Sequence, residues 1–531
     1  MPLFGFKGEN AREKVIVLLT MCFALAMAML DNTVVNIALP TIQRRLGATV
    51  SDLQWIIDGY VLVFASLLLT GGILGDRYGR KKMFLAGLAI FTLASLGCGL
   101  SGSGSQLIAF RALQGVGAAL LMPGTLSILT VTFPPEERAR AIGLWAGVSG
   151  LALALGPTLG GWIVEQGGWE TVFFINVPIG LIAFAIAWRT VRESVSEQTR
   201  HLDLPGLALG TGGLFALTYG LIEANQRGWG DGLIVASLVT AAVLLVGFVV
   251  WEHRSPKAMM PLTFFRIPAF SAGNTVAFSV SLGMFSIFLF VTLYMQAIRG
   301  YAPFQAGLRF LPMTLTIIAS APVAGQIAQR IGPRIPMTYG LTMVSAGLFG
   351  LTFVQPDTPF WMLAILFVMM GNGIGSTMAP MTAAVMGSVG PQRAGLGSAM
   401  TNTSREVGGV LGIALLGTVL FDRLGAVLVP KLAELGLTGP QASAIAQAAS
   451  HGFVSRRELA AVGLSPEQTA GFAAAFREAY MSGFHLAVLI AGAILLTAAV
   501  IANRFIPGRA HAEEIHAQAA AARERVPAAA E

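Results

Sequence analysis

Charged side chains are scarce in this sequence. Only 11% of its 531 residues are charged, whereas 55% are apolar and the mean hydropathy is +0.71. A soluble globular domain has about a quarter of its residues charged, so an ordinary soluble enzyme is excluded. Cysteine is rarer still, since Cys22 and Cys98 are the only two and both lie in apolar runs. A disulfide scaffold is therefore excluded, and both thiols are expected to be small buried groups.

Clustered histidines are also lacking. The six histidines are dispersed, and the two in the polar tail, His511 and His516, make a poor metal site by themselves. We therefore expect no metal, no cofactor and no enzyme activity, with a membrane-embedded enzyme or scramblase as a remote alternative. The net charge of +7 comes from basic residues between apolar runs. This pattern indicates membrane orientation, and nucleic acid is not expected as a partner.

Long apolar runs, by contrast, recur from start to finish. A run of about 20 residues crosses a bilayer as a helix, and fourteen such runs predict an all-α membrane protein. The first run is too long for a signal peptide and is expected to be retained. The predicted spans cover, in order, residues 15–39, 53–74, 83–101, 105–131, 141–163, 170–188, 204–222, 232–251, 269–295, 306–327, 335–354, 360–386, 396–420 and 480–503.

The placement of lysine and arginine sets the expected orientation. With the N-terminus in the cytoplasm, the inner segments contain 22 basic residues and the outer segments contain 9. Cytoplasmic loops carry the excess of basic residues in membrane proteins. Both termini are therefore predicted to be cytoplasmic, as an even number of spans requires.

The two ends of the sequence carry similar motifs. Span 2 maps onto span 10 and span 4 onto span 12, which leaves spans 7 and 8 unmatched and gives six plus two plus six helices. Parallel repeats around a midplane cavity are typical of rocking transporters. The matching residues, at offsets of 253 to 258, are Gly72, Arg77 and Gly79 with Gly325, Arg330 and Gly332, Gly115 and Gly117 with Gly373 and Gly375, and Arg138 with Arg393.

This arrangement predicts four regions. They are a six-helix bundle at 1–190, two extra central helices at 191–268, a second six-helix bundle at 269–503 and a cytoplasmic tail at 504–531. The second bundle is expected to contain a long outer loop at 421–479, with short surface helices near 465–480. An ordered spacer and a cap or partner-docking segment both stay open for this loop.

Three charged residues lie deep in the predicted spans of the first bundle. Asp31 in span 1, Asp58 in span 2 and Arg111 in span 4 share one layer. A charge inside the membrane is costly, by about 2.5–3.5 kcal/mol even on lenient scales, and so indicates function. Arg111 can neutralise one carboxylate while the pair takes up and releases a proton as a coupled unit. A static ion pair between helices, or an Asp58 that faces water, stays open.

The remaining polar and aromatic candidates are expected to line the cavity between the bundles. Arg405 and Glu406 in span 13 form a second polar site or a pair satisfied between helices. Broad specificity suits an apolar pocket with few fixed hydrogen bonds. The candidate substrate-binding residues are Asn32, Asn36, Trp55, Gln114, Trp145, Phe285, Arg405 and Glu406.

Two further motifs concern conformation. The first inner loop could latch one state, with orientation alone as the alternative; Asp76 is expected near the N-terminus of span 3, where the helix dipole favours a negative charge. Pro157 bends span 5, whose small residues could seal one side of the cavity or only pack tightly. The latch residues are Gly72, Gly75, Asp76, Arg77, Gly79, Arg80 and Lys81, and the span 5 residues are Gly147, Gly150, Gly156, Pro157, Gly160 and Gly161.

Together these motifs resemble those of the fourteen-span drug:proton antiporters of the major facilitator superfamily. The resemblance covers essentially all fourteen spans and implies the major facilitator fold. Two positions depart from the pattern: Gln329 replaces the acid found at Asp76 in the first loop motif, and Glu406 stands where relatives often carry Gln. The matching segments are Leu30 to Pro40, Gly72 to Lys82, Arg111 to Gly117, Gly147 to Gly161 and Asn176 to Gly180.

What the resemblance implies is the export of lipophilic, often cationic compounds in exchange for protons. In that family the span 1 acid and the span 4 arginine are linked to coupling, which agrees with the interpretation of Asp31 and Arg111. The proton gradient would supply the energy, and the expected location is the bacterial plasma membrane. A monomer is expected, and a periplasmic adaptor stays open as a partner. A dedicated exporter of an endogenous metabolite, siderophore or lipid is the main alternative.

Overall fold

The computed structural model describes residues 11–48, 50–195, 203–255, 262–301, 303–389, 393–437 and 466–508, and every regular element in these ranges is helical. A 3-10 helix at Leu262–Arg266 precedes α10, and a π-helical turn at Tyr294–Ile298 follows it. The α-helices are α1 (Ala11–Leu46), α2 (Val50–Tyr78), α3 (Arg80–Gly99), α4 (Gly104–Thr132), α5 (Pro135–Gly167), α6 (Thr171–Phe174), α7 (Asn176–Thr190), α8 (Leu204–Arg227), α9 (Gly232–Arg254), α10 (Pro268–Leu293), α11 (Pro303–Arg309), α12 (Leu311–Ile331), α13 (Arg334–Leu351), α14 (Phe360–Val389), α15 (Ala394–Glu434) and α16 (Pro466–Phe505).

The all-α prediction is confirmed, and each predicted span coincides with one helix or, for spans 6 and 10, with two consecutive helices. Among the described residues, 12 helices are long and apolar enough to cross a membrane; α5 and α13 are not among them. α13 has only 18 residues, and a helix of that length barely spans the hydrocarbon core of about 30 Å. The count of fourteen spans and the cytoplasmic termini stay predictions.

Two separate apolar cores organise the chain. One is built almost entirely from α1–α7, which we call the N-terminal half, and the other from α10–α16, the C-terminal half. The halves meet where α2 packs on α15 and where α5 packs on α12. The contacts leave two seams between the halves, one along each of these helix pairs.

The hairpin of α8 and α9 lies against the first of these seams. The Asp203 side chain accepts a hydrogen bond from the Gly206 N–H at the start of α8, and Asp231 does the same for Leu233 in α9. Such N-caps satisfy backbone donors that the helix leaves unpaired. α8 packs on both α2 and α15, and its Thr211 hydroxyl lies 2.9 Å from that of Thr70 in α2.

Glycine contacts fix the register of the internal repeat. A Cβ on Gly115 would meet the Tyr60 carbonyl, and one on Gly371 would meet the Met313 carbonyl. Gly115 therefore corresponds to Gly371 at an offset of 256, and Gly117 to Gly373. The predicted pairs, Gly115 with Gly373 and Gly117 with Gly375, were wrong by two residues. The error arose because α14 repeats glycine at every second position, so two registers match the sequence equally well.

Helices α3 and α13 confirm the corrected register. A Cβ on Gly117 would meet the Gly87 carbonyl, and one on Gly373 would meet the Gly340 carbonyl. Gly87 therefore corresponds to Gly340 at an offset of 253. Small residues at these crossings allow the helix backbones to approach closely.

The long outer loop predicted at 421–479 was wrong at both ends. α15 continues to Glu434 and α16 begins at Pro466. Residues 438–465 lie outside the described residues. The extension has a packing cause: four leucines of α15 at four-residue spacing are fully buried or nearly so, and they belong to one apolar cluster with the start of α16. These leucines are Leu420, Leu424, Leu428 and Leu432.

Two predicted spans are interrupted. Span 6 consists of α6 and α7 with a break at Ile175, and span 10 is preceded by the short α11. Pro312 stands in the first turn of α12, where a missing backbone N–H costs nothing. Arg309 consequently lies in α11 outside the span, with its guanidinium carbon 3.6 Å from the centre of the Tyr301 ring.

Candidate functional site

An ion pair buried in the N-terminal half forms the centre of the site. Arg111 of α4 binds the Asp31 carboxylate of α1, and the two residues are 1% and 2% exposed. The Arg111 Nε also donates to the Ile56 carbonyl at 3.0 Å. Gln114, one turn along α4, donates from Nε2 to Asp31 Oδ1 at 2.9 Å and accepts from Arg111 at 2.8 Å. The predicted pairing of Asp31 with Arg111 is therefore present.

Two further uncharged residues, Asn176 and Ser95, complete the site. We call the five residues Asp31, Arg111, Gln114, Asn176 and Ser95 the Asp31 cluster. Asn176 Nδ2 donates to Asp31 Oδ1 at 2.9 Å and to Ser95 Oγ at 3.0 Å. Asn176 is the first residue of α7, directly after the break in span 6. The sequence prediction of the site missed Asn176 and Ser95, although the polar side chain beside a helix break was an available signal. The hydrogen bonds that Arg111, Gln114 and Asn176 donate stabilise the charged form of the Asp31 carboxylate.

Tyr60 of α2 lies beside the cluster. The Arg111 guanidinium carbon lies 4.3 Å from the centre of the Tyr60 ring, a cation–π contact. In the facing half, α15 carries Arg405 and Glu406 and packs on both α2 and α4. The buried Arg405 Nε makes no hydrogen bond to the described residues. Arg405 and Glu406 are half-buried.

Asp58 is not bonded to this cluster, since among the described residues no hydrogen bond or ion pair joins it to Arg111. It lies in α2, on which α8 packs. Glu223 of α8 is 4% exposed and pairs with Arg227 at 2.9 Å. The Trp55 ring lies against the Tyr219 ring of the same helix, with ring centres 6.2 Å apart and planes inclined by 33°. The common layer of two acids and one arginine stays a prediction, and Asp31 is the acid that pairs with Arg111.

The other predicted substrate residues are scattered. Trp145 is 1% exposed and donates to the Thr125 hydroxyl at 3.2 Å, between α5 and α4. Phe285 of α10 lies against Gly409 of α15. Asn32 and Asn36 lie within α1, but their side chains are outside the described part of the chain. Of the predicted substrate residues whose side chains the structure describes, Gln114 is the one that hydrogen-bonds to Asp31, whereas Trp145 is buried between α4 and α5.

The predicted latch joins the two halves where α2 ends and α15 begins. Asp76 lies in the last turn of α2, not at the start of span 3, and it is fully buried. Its carboxylate accepts hydrogen bonds from the backbone N–H groups of Gly395 at 2.9 Å and Leu396 at 2.8 Å. These groups open α15, so a negative charge meets the positive end of a helix dipole. Arg80 binds the same carboxylate at 2.8 Å.

The neighbouring glycines of the latch differ in their surroundings. A Cβ on Gly72 would collide with Ala399 and Gly395 of α15, so this glycine permits the helices to approach, whereas the space around Gly75 is open. Gly79 adopts a φ of 115° between α2 and α3, a value that favours glycine. Arg77 lies over the Tyr78 ring.

Lys81 faces the end of the N-terminal half. Its Nζ donates to the Trp188 carbonyl at 2.6 Å, and its backbone N–H donates to Glu193 at 3.1 Å. Lys81 therefore holds the loop to Trp188 of α7 and to Glu193 after it, while Asp76 makes the contact between the halves and Arg80 binds Asp76 from the same half.

The span 5 glycines pack against α1 at two positions. A Cβ on Gly156 would clash with Thr33, and one on Gly160 would meet Val34. Gly147 and Gly161 have open space around them. The surroundings of Gly150 and the Pro157 side chain lie outside the described residues. Gly156 and Gly160 therefore carry the close helix contact that the motif predicted.

Comparison with known proteins places this architecture. The family model of the Major Facilitator Superfamily matches residues 21–413. The tetracenomycin C resistance and export protein of Streptomyces glaucescens is 37% identical over 94% of this chain and 92% of its own length. A multidrug resistance protein of Mycobacterium tuberculosis is 33% identical over 98% and 96%. A solved proton:xylose symporter of the same superfamily superposes with a TM-score of 0.62 at 12% identity, over 94% of this chain and 97% of that one.

Proposed function

The chain belongs to the major facilitator superfamily, and from this premise we propose that it is a proton-coupled antiporter that exports lipophilic compounds from the cytoplasm. It is a transporter of the bacterial plasma membrane and not an enzyme. Relatives are named for resistance to tetracenomycin C and to multiple drugs, which supports drugs as the cargo.

The observation that carries the proposal is the buried Asp31 cluster. Asp31 is 2% exposed and has both a cation and amide donors around it. A carboxylate in a low-dielectric site changes its protonation when its neighbours move or when water reaches it. Inward movement of one proton gains about 2.3 kcal/mol per 100 mV of membrane potential, and this gain would drive the export of one substrate molecule.

The two halves would rock against each other, with the hairpin of α8 and α9 beside them. We assign residues 1–190 and 269–503 to the two six-helix bundles and the hairpin to the two additional helices. The Asp76 contact with α15 would hold the cytoplasmic side closed, and its rupture would open the substrate path. Tyr60 of α2 and Glu406 of α15 would lie at the substrate cavity between the halves.

Dye transport in reconstituted vesicles tests the proposal. Asp31→Asn should abolish ethidium transport driven by an imposed pH gradient, because the side chain can no longer exchange a proton. Exchange of internal for external ethidium without any gradient should persist, which shows that the variant is folded. Glu165→Gln, which changes an exposed carboxylate of α5, is the matched control and should transport normally. Undiminished pH-driven transport by Asp31→Asn would contradict the assignment.

A dedicated exporter of one compound is the second candidate. The names of two relatives each refer to a single antibiotic, tetracenomycin C and methylenomycin A. Expression in a sensitive host lacking its own exporters separates the candidates. Protection against unrelated dyes and antibiotics supports broad export, whereas protection against one compound class supports the dedicated exporter.

A further inference from the structure

A groove on the C-terminal half lies between α12 and α13 with α14 as its floor. Its volume is about 580 Å³, within the usual range for small-molecule sites of about 300–1,000 Å³. The rim residues Val323, Ile335 and Tyr339 are 54%, 57% and 49% exposed. Such apolar exposure in a membrane helix faces lipid, so the groove opens sideways into the bilayer.

The groove is more polar than a lipid-facing surface requires. Its floor includes Asn372 and Ser376 of α14, and its walls include Thr316 and Ser320 of α12 and Tyr339 of α13. Polar side chains at the membrane surface of a helix are costly unless they find a partner. The Asn372 Oδ1 atom is buried and makes no hydrogen bond to any described residue.

The internal repeat shows that this polarity is specific to one half. At the offset of 256 found for α4 and α14, Asn372 and Ser376 correspond to Val116 and Leu120. The offset is 253 between α2 and α12 and between α3 and α13, and at this offset all three wall residues also correspond to apolar side chains. Thr316, Ser320 and Tyr339 correspond to Val63, Leu67 and Ala86. The fold therefore does not need a polar residue at any of the five positions.

Three oxygen atoms of the groove can only accept hydrogen bonds, whereas the hydroxyl groups of Ser376 and Tyr339 can also donate. Thr316 donates its hydroxyl proton to the Pro312 carbonyl at 2.6 Å, and Ser320 donates to the Thr316 carbonyl at 2.7 Å. A hydroxyl group has one proton to donate, so both oxygens can now only accept, as can Asn372 Oδ1. A ligand that satisfies them must therefore carry N–H or O–H groups on an apolar body.

The position of the groove indicates from where the ligand arrives. In the predicted orientation α12 runs from the outer side to the cytoplasm and α13 starts at the cytoplasmic end. The lining residues extend from Thr316 to Ile327 of α12, over the first turns of α13, and from Asn372 to Ser376 in the middle of α14, so the groove runs from the middle of the bilayer toward the cytoplasm. The groove consequently opens in the cytoplasmic leaflet of the bilayer.

We propose that this groove is an access site at which a lipophilic, hydrogen-bond-donating export substrate is taken from the cytoplasmic leaflet. The proposal rests on the proposed export function. It makes Asn372 and its polar neighbours residues that select substrates before they reach the Asp31 cluster. The second seam, between α5 and α12, lies beside the groove, and the hairpin of α8 and α9 covers only the first seam.

Photolabelling with ethidium monoazide tests the site. This lipophilic cation keeps an aromatic amine donor and attaches covalently when illuminated. In protein reconstituted in nanodiscs, we expect label on peptides from α12 and α13 that line the groove. Excess ethidium should protect these peptides, whereas tetraphenylphosphonium, which has the same charge and no donor, should not. Equal protection by both compounds would overturn the donor requirement.

The double variant Asn372→Val with Ser376→Leu replaces the two polar floor residues with those found at the corresponding positions of α4, Val116 and Leu120. Loss of one hydrogen bond should lower groove labelling about fivefold, while thermal unfolding stays close to that of the wild type. Tyr339→Ala provides a second variant with a removed wall and should also lower labelling. Thr342→Val, an exposed position on α13 away from the groove, should leave labelling unchanged. Label spread equally over lipid-facing helices, and insensitive to these variants, would overturn the site.

Ethidium efflux from vesicles separates this inference from the proposed function. Efflux by the wild type without groove labelling would overturn the access site and leave export intact. Groove labelling without efflux would overturn the export of this dye and leave a binding site. Slower efflux of ethidium but not of tetraphenylphosphonium by the double variant supports both.

Discussion

At one set of corresponding positions, the N-terminal half has polar and charged residues and the C-terminal half has apolar residues. In the N-terminal half, Arg111 and Gln114 bind the Asp31 carboxylate, Tyr60 lies against Arg111, and Ser95 accepts a hydrogen bond from Gln114. In the C-terminal half the corresponding residues are Met313, Leu348, Phe367 and Met370, and all four line a wholly apolar pocket. The same helix crossings therefore hold a charge network in one half and a hydrocarbon interior in the other.

This difference shows that the fold does not require the charges of Asp31 and Arg111. A buried ion pair is often no more stabilising than apolar residues of similar volume, and the C-terminal half demonstrates that apolar residues suffice at these crossings. The N-terminal half therefore retains a network that packing alone does not demand. The groove on α14 shows the reverse, with polar residues in the C-terminal half and apolar ones in the N-terminal half.

The largest effect is expected when the N-terminal half is given the residue of the C-terminal half. Arg111→Phe leaves the Asp31 charge buried without its cation, which should cost about 3–5 kcal/mol of unfolding free energy. Thermal unfolding of the purified protein measures this. Phe367→Met in the C-terminal half is the control and should cost less than about 1.5 kcal/mol. Equal losses would mean that the Asp31 cluster is no more demanding than the apolar pocket.

The latch offers the next comparison, since the second loop motif carries Gln329 where the first carries Asp76. Asp76→Asn should weaken two charge-assisted hydrogen bonds to α15 and shift the balance toward the cytoplasm-open state by about 2 kcal/mol. Spin labels introduced through Lys82→Cys and Arg334→Cys would report the separation of the halves. Gln329→Asn should leave the distance distribution unchanged, and an unchanged distribution in Asp76→Asn would disprove the latch.

A smaller effect is expected at Asn176, which belongs only to the polar half. Asn176→Val removes the bonds to Asp31 and Ser95 and should cost about 1.5 kcal/mol of stability. It should also slow pH-driven transport, because the carboxylate loses a donor that holds it. Thr190→Val at the other end of α7 is the control. Normal transport by Asn176→Val would place this residue outside the coupling network.

The smallest effect is expected at Trp145. Trp145→Phe loses one hydrogen bond to Thr125 and should cost about 1 kcal/mol without altering the affinity for ethidium. Fluorescence titration of the dye measures the affinity, and a large loss would restore Trp145 to the substrate cavity.

The sequence predicted the helices and the Asp31–Arg111 pair because both follow from strong physical constraints. A charge in a bilayer requires a partner, and few candidates exist. It did not predict Asn176 or Ser95, since uncharged polar residues in membrane helices commonly bond to their own backbone. Glu223 lies near the end of predicted span 7, yet it is buried and pairs with Arg227. Short surface helices were predicted near 465–480, but their continuity with span 14 and the extension of span 13 beyond residue 420 were missed, because hydropathy marks the membrane boundary, not the end of a helix.

In the predicted orientation, the paired extension of α15 and α16 forms a lever outside the cell. From residue 420 to Glu434 the rise of 1.5 Å per residue amounts to about 21 Å, and the buried leucines make this arm stiff. A tilt of the C-terminal half by about 10° would therefore sweep the tip through about 3–4 Å at this length. A fluorophore or antibody fragment attached there would report each transport cycle from outside the cell, without touching the substrate path.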